Sequence, residues 1–135
     1  MHLGLIGGIG PAATAYYRQL VASHMRAERR LELTIAHADL SELLQNLRAD
    51  ARHAQGQVFG AMAHRLRAAG ADVVAITSMA GHFCVREFAS VSPIPVVDAL
   101  DAIRRELMRR AVRTIGVLGT EAAMASNLFW GAARF

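Results

Sequence analysis

A chain of 135 residues that is 53% hydrophobic and 19% charged is long enough for one domain with a real core, and too apolar to stay disordered. No run approaches the roughly 18–20 apolar residues of a membrane-spanning helix, and Met1-His2-Leu3 leads straight into a strand without a basic n-region. Neither a membrane span nor a secretory signal is therefore expected. The formal charge of +4, from 15 basic against 11 acidic residues, is carried essentially by arginine in helical stretches such as Arg26, Arg29, Arg30 and Arg104, Arg105, Arg109, Arg110. No aromatic residues interleave with them as a base-stacking platform would need, so solvated helix faces are expected and nucleic acid is not an expected partner.

The first predicted elements carry the strongest signal. Leu3, Leu5 and Ile6 read as a buried strand, followed at once by Gly7, Gly8 and Gly10, then Pro11, then a helical pattern to about Arg29 with Ala13, Tyr17, Leu20, Val21 and His24 on one face. Pro11 suits the first helical position, where its missing N–H has no helical partner to lose. A strand that ends in glycines and opens into a helix aims free N–H groups and the positive end of the helix dipole at one point. Gly8, Ile9 and Gly10 thus form a candidate cradle for a small anion, with the Thr14 hydroxyl one turn on as a further donor.

Leu31 to Ala38 is predicted as the second strand, with Ser41 capping a short helix to Leu47 and Arg48 in a polar loop beyond it. A longer helix is expected from Ala51 to Ala69, buried along Val58, Met62, Leu66 and Ala69 and stopped by Gly70. Ala71 to Thr77 is the third strand, whose continuous apolar run implies burial on both faces. Ser78-Met79-Ala80-Gly81-His82 forms a second strand-to-helix junction, where the Ser78 hydroxyl either caps the helix that follows or faces a ligand. That helix runs to Ser92, Val96 and Val97 make the fourth strand, and Asp98 caps a helix to about Arg110. Thr114 to Leu118 reads as a fifth strand, Gly119-Thr120 as a third junction, and Glu121 to Ala133 as a last helix.

Alternating strands and helices with short connections imply an α/β fold, a three-layer sandwich on a mostly parallel sheet of about four strands. In such folds ligands bind beyond the carboxyl ends of the strands, the edge on which all three junctions fall. Leu3-Gly4-Leu5-Ile6-Gly7 is echoed by Ile115-Gly116-Val117-Leu118-Gly119. The expected organisation is therefore a domain over residues 1–112 and, over 113–135, the first βα unit of a second similar domain.

Cys84 is the sole cysteine, which excludes an internal disulfide and fits a reducing, cytoplasmic setting. In a helical segment it lies about 240° around the axis from Ser78, and it is read as a small buried residue. The six histidines, His2, His24, His37, His53, His64 and His82, show no metal-ligand spacing with acids or cysteine, so no metal is expected.

With these junctions in place, the chain resembles the aspartate/glutamate racemase family over nearly its whole length, as the N-terminal half of such an enzyme. The carriers are Gly7-Gly8-Ile9-Gly10-Pro11-Ala12-Ala13-Thr14, Ala71-Asp72, the Ser78-to-His82 junction, Ile94-Pro95-Val96, and Leu118-Gly119-Thr120 through Met124. The resemblance implies an isomerase that uses no pyridoxal phosphate or other cofactor and acts on aspartate, glutamate or a related small carboxylate in a cleft between two domains. One base removes the α-proton and a second returns it from the opposite face, roles that suit cysteine. It further implies substrate contacts at Gly8, Ile9, Gly10, Thr14, Arg48, Met79, Ala80 and Thr120, with Ser78 and His82 as the catalytic pair. The family's Cys-Asn-Thr-Ala-His falls on Ser78-Met79-Ala80-Gly81-His82, so the histidine is kept and serine stands for the first cysteine. A serine hydroxyl is a far weaker acid than a thiol. The second cysteine would lie beyond Phe135, and the chain as given is not expected to racemise by the two-base route.

Two other functions compete. Gly8-Ile9-Gly10-Pro11-Ala12-Ala13 satisfies the G-x-G-x-x-A form of a dinucleotide-binding module, with Asp39 as a late ribose acid and Pro11 removing one N–H from the loop. A non-catalytic remnant that pairs into a homodimer is the other, suggested by the apolar Leu128-Phe129-Trp130.

Overall fold

The computed structural model describes residues 1–25, 32–119, 121 and 124. Among these, β1 (His2–Gly7), β2 (Glu32–His37), β3 (Val73–Ile76) and β4 (Val96–Val97) form one parallel sheet in the order β2-β1-β3-β4. The connecting helices are α1 (Pro11–Met25), α2 (Leu40–Arg48), α3 (Arg52–Ala68) and α4 (Val85–Val91), with α5 (Ala99–Arg109) after β4. A 3₁₀ turn, Ala80–Cys84, precedes α4. β1 sits in the middle of the sheet, with Leu5 paired to Ile35 on one side and Ala75 on the other.

Alternation along β1 sends successive residues to opposite faces. Gly4 faces α3, where an added Cβ would lie 3.1 Å from Leu66 Cδ1, and Gly7 faces α1, where it would lie 2.8 Å from Thr14 Cγ2. Helices therefore cover both faces, and the three-layer α/β arrangement expected from the sequence is present. The core lies on the α3 side, around Ile6, Leu43, Phe59, Met62, Ala63, Leu66, Val74, Ile76 and Phe88. Phe59 and Phe88 meet edge to face with ring centroids 5.6 Å apart. Gly56 and Gly60, one turn apart on α3, let α4 approach closely: a Cβ at Gly60 would stand 2.8 Å from Val91 Cγ2.

Several local expectations are corrected. Asp39, not Ser41, caps α2; its extended backbone lets Oδ1 accept the Glu42 N–H at 3.0 Å, whereas Ser41 already lies within the helix. Arg48 is in the last turn of α2 and exposed, not in a loop. On α3 the buried face includes Met62 and Leu66 but centres on Phe59 and Ala63; Val58 is half-buried and Ala69 exposed. In β3 only Val74 and Ile76 are buried, while Val73 and Ala75, on the other face, are half-buried. Residues 112–119 have no regular structure, so the fifth strand is not formed. A strand needs a neighbour for its backbone groups; here Leu118 is 99% exposed.

Gly70 does end α3 as expected, at φ +94°. Asp98 caps α5, its Oδ1 accepting the N–H groups of Leu100 and Asp101. α5 has no buried residue, and its arginines pair with its own acids: Arg104 and Arg105 with Asp101, Arg109 and Arg110 with Glu106. The helix from Glu121, the segment Leu128–Trp130, and Arg26, Arg29 and Arg30 fall largely or wholly outside the described residues. No helix among the described residues is long and apolar enough to cross a membrane.

Candidate active site at the carboxyl edge of the sheet

Gly8 and Gly10 adopt φ of +93° and +97°, in the left-handed region that glycine enters without steric cost. At Gly8 the requirement is also spatial, because a Cβ would lie 2.5 Å from the Ala38 carbonyl oxygen and 2.9 Å from His37 Nε2. The turn is further held by the Ala38 N–H donating to Gly7 O at 2.8 Å. β1 thus delivers the chain into α1 with its amides at the carboxyl edge.

The polar groups at this junction are partly consumed within the protein. The Gly8 N–H donates to Thr14 Oγ1 at 3.2 Å, and Thr14 Oγ1 lies 3.3 Å from Thr77 Oγ1. Thr77 in turn donates its hydroxyl to Ile6 O at 3.1 Å. The Thr14 hydroxyl has its proton acceptors inside the fold, Thr77 Oγ1 and, at 3.5 Å, Gly10 O, so it is engaged there although the sequence presents it as a further donor to an anion. The cradle narrows to Ile9 and Gly10, whose N–H groups have no acceptor among the described residues. The Ile9 side chain is buried in the core, so only its backbone faces the edge.

In the sequence Thr77 reads only as the end of a strand. The available signal was a hydroxyl closing an apolar run at a carboxyl edge, where side chains at strand ends face ligands or hold the loops that do. Through Thr14 and Thr77 the first junction is stitched to the second, and Ser78 is the next residue in the chain.

At the second junction Met79 occupies the cap position of the 3₁₀ turn and no side chain caps it, so Ser78 is not the N-cap. Ser78, Met79 and Ala80 are all half-buried, and the Ser78 hydroxyl has no hydrogen-bond partner among the described residues. His82 is only 2% exposed, with Nδ1 at 2.9 Å from Ser78 O and Nε2 at 3.3 Å from the Ala99 nitrogen. Burial, chiefly, holds its pKa below the ordinary histidine value, against the opposing pull of the Ser78 carbonyl and the Asp98 charge. Cys84 is fully buried, as expected, and burial together with the nearby Glu87 charge pushes its thiol up to about 12.

The edge therefore assembles Gly8, Ile9, Gly10, Thr14, Thr77 and Ser78. Thr120 lies outside the described residues. Among the described residues no group of three or more His, Cys, Asp or Glu is placed to hold a metal ion. Asp39, the acid a dinucleotide would need, is engaged in capping α2.

The chain is similar in sequence and fold to known proteins. The sequence profile of the Asp/Glu/Hydantoin racemase family matches residues 6–134. A candidate Asp/Glu racemase from Yersinia pestis superposes with a TM-score of 0.82 at 23% identity, over 96% of this chain and 58% of that one. An aspartate racemase homologue from Pyrococcus horikoshii gives a TM-score of 0.80 at 25% identity, over 98% of this chain and 59% of that one. The chain thus spans less than two thirds of the length of these similar structures. No curated protein sequence matches it. The glycine-rich first junction, the parallel sheet and a profile match over almost the full length lead to one assignment: the chain belongs to the Asp/Glu/Hydantoin racemase family.

Proposed function

We propose that this chain is a racemase-like domain that binds a small carboxylate substrate, of the aspartate or glutamate type, and handles the proton at its α-carbon without a cofactor. The observation that carries the reading is the Thr14–Thr77 contact of 3.3 Å, which joins the junction bearing the Ile9 and Gly10 amides to the one bearing the Ser78 hydroxyl, all three without a partner among the described residues. A carboxylate at a helix N-terminus is stabilised by the amides and the dipole together. In this reading the α-carbon is turned to the second junction, where Ser78 takes the position that the family resemblance gives to the first base. Racemisation requires the α-proton to leave one face, the electron pair to delocalise into the carboxylate, and a proton to return from the other face. Ser78 would act at one face, its hydroxyl proton passing to solvent as it takes the α-proton, so exchange at that face is the activity to be sought; residues 113–135 are read as the start of a second similar domain.

The test is deuterium exchange at the α-carbon of L- and D-aspartate and glutamate in D₂O, followed by proton NMR, with Ser78→Ala as control. Exchange of one enantiomer, lost in the control, is expected. A folded sample that exchanges neither enantiomer would remove the catalytic reading for this chain.

A second reading, self-association as a homodimer, draws on exposed apolar side chains of α5, Ile103 at 41% and Met108 at 62% exposure. Light scattering across a concentration series decides it, and a strictly monomeric chain would end it.

A further inference from the structure

We propose that His82 is a positioning residue whose ring clamps the backbone of Ser78 to the first turn of α5. The argument rests on what its two partners can do. A carbonyl oxygen only accepts, so the contact of 2.9 Å with Ser78 O places the proton on Nδ1. An amide N–H only donates, so the contact of 3.3 Å with Ala99 requires a lone pair on Nε2. One tautomer satisfies both, and neither the other tautomer nor the imidazolium does.

The second contact also completes a helix cap. The first N–H groups of a helix have no internal partner. Asp98 Oδ1 accepts those of Leu100 and Asp101, and His82 accepts that of Ala99. The start of α5 is thus capped jointly by its own aspartate and by a ring from the candidate active-site junction. Within the ring's surroundings, Asp98 is the charged group that would favour protonation, while burial of the ring to 2% exposure opposes it. Because both ring nitrogens are occupied by backbone, His82 has no free position from which to take or give a substrate proton. Its influence on chemistry runs through the placement of Ser78, and this last point rests on the racemase-like reading given above.

Three measurements test the clamp. In ¹⁵N-labelled wild-type chain, long-range ¹H–¹⁵N correlation should show His82 protonated at Nδ1, bare at Nε2, and unchanged from pH 8 to pH 5.5. An Nε2–H tautomer, or titration near the ordinary histidine value, overturns the proposal without any variant having to fold. In His82→Asn, which keeps a donor near Nδ1 but lacks the acceptor, the Ala99 amide should exchange with solvent at least tenfold faster while Leu100 and Asp101 keep their protection. An unchanged Ala99 rate overturns it. Where α-carbon exchange is measurable, His82→Asn should lower its rate with an unshifted pH profile, and a shifted profile would make His82 a proton carrier and overturn the clamp. Absence of exchange in the wild type speaks only against the racemase-like reading, since the two NMR arms stand alone.

Discussion

The two junctions at the carboxyl edge solve opposite problems. The first, Gly7 to Thr14, is built from backbone: two left-handed glycines and a close approach to Ala38, with the Thr14 hydroxyl turned inward. The second, Ser78 to His82, contains glycine only at Gly81, pins its main chain through a buried histidine, and leaves the Ser78 hydroxyl without a partner among the described residues. A binding cradle needs amides fixed in direction, whereas a group that moves protons needs its side chain uncommitted. The contrast teaches that the first junction is determined by backbone conformation and the second by side-chain bonding, with Thr77 joining the two.

The largest test of that contrast is at Gly8. Gly8→Ala should cost about 2–3 kcal/mol, from left-handed strain together with the clash against the Ala38 carbonyl, read as a lowered urea midpoint. A loss of stability of less than about 0.5 kcal/mol would mean that the first turn is not backbone-determined. Next is Thr77→Val, which removes the hydroxyl linking the junctions and should cost about 1–2 kcal/mol, since Ile6 O loses a buried donor and Thr14 keeps only the longer contact to Gly10 O. Ser78→Ala should be the reverse case, within about 0.5 kcal/mol of wild type by the same measurement, because no bond is lost. A large destabilisation there would show that the Ser78 hydroxyl is structural.

The titrating groups beside Ser78 sharpen the comparison by pH. Cys84 has a folded pKa raised from 9.0 to about 12, so the native state holds its proton more tightly than the unfolded chain. Its contribution to stability is fully present below pH 9.0 and is lost as pH rises towards about 12; in the same way the native thiol should resist thiol reagents at neutral pH. His82 has the opposite sign of linkage. Its folded pKa is lowered, so its contribution is present above the ordinary value of 6.5 and falls as the pH drops below it, where only the unfolded chain gains the proton. His82→Asn should flatten that acid limb, and an unaltered limb would assign it to other groups.

The order of elements, the parallel sheet, the glycine turn at Gly8 and Gly10, the stop at Gly70 and the cap at Asp98 were determined by the sequence alone. Each depends on local conformation or on periodicity over a few residues, which the chain carries wherever it lies. Tertiary structure decided the rest. Thr14 looks from sequence like a free donor, and only the approach of Thr77, far along the chain, shows its hydroxyl engaged. His82 gains its meaning from Ala99, which begins another element. Gly56 and Gly60 weaken a helix on propensity, and only the packing of α4 explains them. The strand expected at 114–118 failed for the converse reason, since an apolar pattern makes a strand only where a neighbouring backbone receives its hydrogen bonds.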